Sequence, residues 1–117
     1  MFIWLHSGRS VPLYKSCANG DTIQRLMIRV EWDDKKAVEN YRKHGVRFED
    51  ARYVFLDPFR ITETSFDDRW QTIGLSGNHV LFFVAHTIHE NGVEIFRIIT
   101  ARKATSKERK RYGNRKL

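Results

Sequence analysis

From Met27 onward the hydrophobic pattern divides the chain into elements. MIRVEW alternates apolar and polar positions, with Ile28, Val30 and Trp32 on one face and Arg29 and Glu31 on the other, which predicts a half-buried strand. Asp33 is placed to cap a helix over about Asp34–His44, whose spacing expects Ala37, Val38 and Tyr41 to be buried. Gly45 offers a left-handed stop after it. A second helix, about Glu49–Leu56, opens on acids and buries Ala51, Val54 and Phe55; Asp57-Pro58 ends it.

Strands fill most of the remainder. Phe59–Thr64 is short, Trp70–Leu75 follows, and Ser76-Gly77-Asn78 turns the chain. Val80–Ile88 is apolar on both faces, so both faces should be covered. After His89-Glu90-Asn91-Gly92 comes a strand over Glu94–Ala101. Thr105 and Glu108 then form a capping box for a last helix running to about Tyr112, with Gly113 as its stop. The order is β-α-α-β-β-β-β-α. Short turns between successive strands predict an α+β fold, a small antiparallel sheet with helices packed on it.

Residues 1–26 break this regularity. They show no sustained period, and turn-formers are scattered through them. They read as a mis-called or disordered N-terminal extension, with Met27 as the natural start and 27–117 as a single domain. A chain of 117 residues supports one modest core. No apolar run approaches the ~20 residues that span a bilayer.

Charge now narrows the chemistry. Lys and Arg total 21 against 14 Asp and Glu, a formal net charge of +7, which favours a polyanionic partner. The lone cysteine, Cys17, allows no intramolecular disulfide, as suits a reducing cytoplasm, and has no placed catalytic partner. The five histidines form no metal set with cysteines or paired carboxylates, and no glycine loop is built to cradle a nucleotide, so no metal and no cofactor are expected.

The cations concentrate in Phe96–Tyr112, FRIITARKATSKERKRY. Arg97 lies in the last strand, Arg102 closes it, and Arg69 enters the Trp70–Leu75 strand. A strand is a rigid mount, and a guanidinium fork fits phosphate. RNA can be cut by attack of its own 2′-hydroxyl, provided the protein orients the attack, stabilises negative charge and moves protons. Arg69, Arg97 and Arg102 are the candidate cations; His86, Glu108 and Tyr112 are the candidate proton carriers. Lys103, Lys107, Arg109, Lys110 and Arg111 are candidate RNA contacts. Each has a structural alternative: a surface ion pair for Arg69, a cap for Glu108, a helix anchor for Tyr112, a buried hydrogen-bonded ring for His86. Strict alternation also sends Arg97 and Arg102 to opposite faces, so one site holds both only if the strand bends or ends before Arg102.

WDDKKAVENYRKHGVRFEDARYVFLDP, with Asp68-Arg69, Ile73-Gly74, Arg97–Arg102, Ala104, Glu108-Arg109 and Tyr112, resembles the BrnT-like ribonuclease toxins of type II toxin–antitoxin pairs. The likeness runs from Met27 to about Tyr112. It implies a RelE-like fold, metal-independent RNA cleavage that stops translation and growth, and a ribbon-helix-helix antitoxin of the BrnA kind. Promoter DNA would be met only through the complex with that antitoxin, and the ribosome is a further possible target. Arg69, Arg97 and Arg102 fall in matching blocks. Ala37 stands where the family often has asparagine, and Asp68 where it commonly has glutamate. His44 belongs to the pattern, but a cation at a helix C-terminus already has a structural purpose. The competing readings are a module that binds RNA or the ribosome without cutting, and a structural or antitoxin-holding protein.

Overall fold

Asp33 ends one strand and starts a helix. In the computed structural model, which describes residues 8–19 and 22–116 (side chains of 8–14 and 27–114), its carboxylate accepts the Lys35 amide at 2.9 Å. Strand β1 spans Gly8–Asn19 and β2 spans Thr22–Asp33; helix α1 follows at Asp34–His44. Gly45 stops α1 with φ of 69°, its amide bonded to the Tyr41 carbonyl. Helix α2, Phe48–Ala51, tightens into a 3-10 segment, Arg52–Leu56. Then come β3 (Ile61–Thr64), β4 (Trp70–Leu75), β5 (Leu81–Glu90), β6 (Glu94–Lys103) and α3 (Ser106–Lys116). No helix among the described residues is long and apolar enough to cross a membrane.

The six strands form one sheet in the order β1-β2-β6-β5-β4-β3. It is mixed, which corrects the expectation of an antiparallel sheet: Ile28–Glu31 of β2 pair in parallel with Glu94–Arg97 of β6. The turn rule holds from β3 through β6, whose neighbours are antiparallel, but does not reach a pair so distant in sequence.

The element order also gains a strand. Residues 8–19, read as having no regular element, form β1 and pair antiparallel along β2, and Leu13 packs into the core. Pro12 hides this strand from a propensity reading, yet proline is tolerated at a sheet edge, where β1 lies. Residues 1–7 of the expected extension and the Cys17 side chain lie outside the described residues.

The core occupies one face of the sheet. Val30 and Trp32 of β2, Val84 of β5 and Phe96 and Ile98 of β6 meet Phe48, Ala51, Val54 and Phe55 from α2 and the 3-10 segment. Burying each large side chain contributes about 1.5–3 kcal/mol. Gly74 of β4 lets the 3-10 segment approach: a Cβ there would sit 2.9 Å from the Val54 Cβ and 3.0 Å from its carbonyl oxygen.

Helix α1 docks differently from its apolar pattern. Val38 and Tyr41 are exposed, and the buried residue is Asn40. Its Nδ2 donates to the carbonyls of Val46 and Ala101 at 3.0 and 2.8 Å, and its Oδ1 accepts the Ala101 amide at 3.0 Å. Helix α1 thus replaces β2 along β6 where the pairing of β2 with β6 has ended. Gly113 does not stop α3, which continues to Lys116; a glycine inside a helix costs about 1 kcal/mol and need not end it.

Candidate active site

Between β5 and β6 the register shifts by one residue. Ala85 faces Thr100, but His86 faces Ile98, so Ile99 is an extra residue in β6. Before this bulge Phe96 and Ile98 point to the core; after it Ala101 does. The insertion reverses the parity that would otherwise separate the two arginines. Arg97 lies opposite Thr87 and Arg102 opposite Phe83, both on the face away from the core. Thr87 and Phe83 are four residues apart on β5, which sets the two arginines on the order of 13 Å apart along the sheet.

Around Arg97 the face is built by three strands. Glu31 on β2 and Thr87 on β5 flank it in one row, with Arg97 Nη1 3.8 Å from Glu31 Oε1. His89 shares this face: its Nε2 and the Thr87 Oγ1 are 3.1 Å apart, and the ring is exposed. Arg29, two residues before Glu31, is pinned by Ser10, donating from Nε to Oγ at 2.8 Å and from Nη2 to the carbonyl at 3.1 Å. Arg69 sits one residue before β4, its carbonyl accepting the Ser65 amide; alternation back from Gln71 assigns it to the same face, and it is exposed.

Helix α3 closes the other end, around Arg102. The guanidinium lies 4.0 Å over the Phe83 ring and donates twice to Glu108, at 2.9 and 3.0 Å. Glu108 also completes the capping box, accepting the Thr105 amide at 2.9 Å while its own amide donates to Thr105 Oγ1 at 3.2 Å. The hydrogen bonds from Arg102 hold the Glu108 carboxyl below the usual carboxylate range. Arg111 of α3 pairs with Glu63 of β3.

Two cations on a rigid face, one beside a carboxylate and a histidine, can bind neighbouring phosphates of an extended strand and stabilise charge at one of them. Residues 32–108, more than half of the chain, match the family described as ribonuclease toxin, BrnT, of type II toxin-antitoxin system. The chain belongs to the BrnT family of ribonuclease toxins. The crystal structure of the Brucella abortus ribonuclease toxin BrnT is similar, at 25% identity and a TM-score of 0.52, over 64% of this chain and 94% of that one. No curated protein matches the chain significantly.

Within this BrnT-family domain the structure gathers Arg97, Arg102 and Glu108, and it separates His86 and Tyr112 from them. His86 occupies a core-facing position of β5, fully buried between Phe55 and Phe96. Nε2 lies 2.7 Å from Thr72 Oγ1 and Nδ1 3.2 Å from the Thr87 carbonyl. Burial lowers its pKa to about 4, so at neutral pH Nδ1–H donates to the carbonyl and Nε2 accepts from the hydroxyl. Tyr112 is buried and donates to Asp57 Oδ2 at 2.6 Å; burial first, and then Asp57, push its pKa above the ordinary phenol value. Asp57 also accepts the amides of Phe59 and Leu75, so the pair anchors α3 to the end of the 3-10 segment.

Lys103, Lys107, Arg109, Lys110 and Arg111 are all exposed, on the end of β6 and on α3. Among the described residues no group of three or more His, Cys, Asp or Glu is placed to hold a metal. A hollow of about 590 Å³ lies between α1 and the bulged segment of β6, with Lys36, Asn40, Lys43, Ile99 and Thr100 in its wall. Glu31, Arg29 and His89 were not singled out by the sequence. Glu31 and Arg29 were visible as the polar face of MIRVEW, but only the parallel pairing of β2 with β6 sets them beside Arg97.

Proposed function

We propose that this chain is a toxin that cleaves RNA without a metal, by attack of a ribose 2′-hydroxyl on the adjacent phosphorus. The observation that carries this reading is the β6 bulge, which turns Arg97 and Arg102 onto one face. Arg97 holds the scissile phosphate and stabilises the charge that builds on it. Arg102, oriented by Glu108 and Phe83, holds a phosphate further along the strand, and exposed Arg69 contributes from β4. Lys103, Lys107, Arg109 and Lys110, with Arg111, guide the RNA backbone electrostatically.

The family context supports the rest of the reading. RNA cleavage in the cytoplasm halts translation and growth, and a cognate ribbon-helix-helix antitoxin of the BrnA kind neutralises the toxin. Promoter DNA is contacted through the antitoxin complex. Induced expression in a bacterium tests this. The wild-type chain should arrest growth, folded Arg97→Ala and Arg102→Ala should not, and co-expression of the adjacent antitoxin gene should relieve the arrest. Full arrest by both folded variants would overturn it.

A further inference from the structure

We infer that Glu31 and His89 are the proton-transfer pair of this site, with Glu31 as general base and His89 as general acid. The inference rests on the ribonuclease reading above and deepens it. In-line displacement at phosphorus places the attacking and departing oxygens on opposite sides of the atom. Strands β2 and β5 are the two neighbours of β6, so Glu31 and Thr87 flank Arg97 from opposite sides in one row. Two strand spacings separate them, about 10 Å, which leaves room for a phosphate over Arg97. His89 lies two residues beyond Thr87 on the same face, and the Thr87 hydroxyl holds its ring.

None of the other candidate proton carriers meets this geometry.

 
Glu108 is committed to Arg102 and to the helix cap, His86 is buried on the opposite side of the sheet, and Tyr112 is bonded to Asp57. Glu31 and His89 each keep access to the open face beside Arg97.

The step balances. The Glu31 carboxylate takes the 2′-hydroxyl proton as the 2′-oxygen bonds to phosphorus. The bond from phosphorus to the 5′-oxygen breaks, and that oxygen takes a proton from the His89 imidazolium. With Nε2–H donating to Thr87, the proton on Nδ1 is the one transferred. The products are a 2′,3′-cyclic phosphate and a 5′-hydroxyl, and exchange with water resets both side chains. The charged groups that the strand register places on this face with His89 are Arg97 on β6, Arg29 and Glu31 on β2, and Arg69 immediately before β4.

The test is the pH dependence of kcat/KM for the full chain on an RNA with a mapped cleavage site. The wild type should give a bell, its acid limb lost in Glu31→Gln and its alkaline limb lost in His89→Ala, each variant roughly 100- to 10,000-fold slower. Replacing the 5′-oxygen at that site by sulfur, which leaves without a proton, should restore His89→Ala to within about tenfold of wild type and leave Glu31→Gln slow. If the wild type cuts and Arg97→Ala does not, yet both variants keep the wild-type rate and profile, this assignment is wrong and the ribonuclease reading stands. If the wild type does not cut, both fall together.

Discussion

Arg97 and Arg102 face the same side of the sheet because Ile99 is an extra residue between them. Arg102 is then held from two directions, by the Phe83 ring beneath and by Glu108 of α3. The capping box that starts α3 and the clamp that orients Arg102 are therefore one carboxylate.

Glu108→Gln isolates the charge in that clamp. The folded state depresses the Glu108 pKa, so the stability it contributes is present above the unfolded value of about 4.3 and is lost as pH falls through the lower folded value. The variant should lose about 1 kcal/mol at pH 7. Thermal melts from pH 7 to pH 3 should show the gap between the two proteins closing below about pH 4. A gap constant with pH would show that the charge is not the cause.

His86 gives the protein a separate acid sensitivity. Its pKa falls from an unfolded value near 6.5 to about 4 in the fold, because burial disfavours the imidazolium. The unfolded chain therefore binds the extra proton first, and stability falls as pH drops from about 6.5 to about 4, by roughly 3 kcal/mol. His86→Gln should be less stable at neutral pH but lack this slope, as read from urea midpoints across the range. An unchanged slope would assign it to other groups.

Asn40→Ala should cost about 2–4 kcal/mol, since it strands the amide and carbonyl of Ala101 inside the structure. Hydrogen exchange at Ala101 should rise with it. Exchange as slow as in the wild type would mean that another group satisfies this edge.

Gly74→Ala tests the close approach of β4 to the 3-10 segment. The new methyl meets Val54 backbone as well as side chain, so the segment must shift, at a cost of about 1–3 kcal/mol. Chemical denaturation measures this directly; an unchanged midpoint would contradict the contact.

Much of the fold was legible where the signal is local. The Asp33 cap, the Gly45 stop and the Thr105–Glu108 box are short-range hydrogen-bond patterns, and each is present. Burial of Ala51, Val54 and Phe55 followed from helical spacing. The misses are tertiary. Asn40 replaces Val38 and Tyr41 as the buried residue of α1 because the helix docks on a strand edge, where it must satisfy backbone groups rather than cover apolar area. The parity conflict between Arg97 and Arg102 was visible in the sequence, but Ile99 as its solution depends on pairing with β5. The same register decides that His86 enters the core while His89 stays on the arginine face.

The measurement that tests the central claim most directly is incubation of the full chain with a defined RNA in excess EDTA, with end-group analysis of the products. Wild type should leave fragments ending in 2′,3′-cyclic phosphate, and folded Arg97→Ala and Arg102→Ala should leave the RNA whole. Intact RNA with the wild type, or equal cutting by both arginine variants, would contradict a cleavage site on this face.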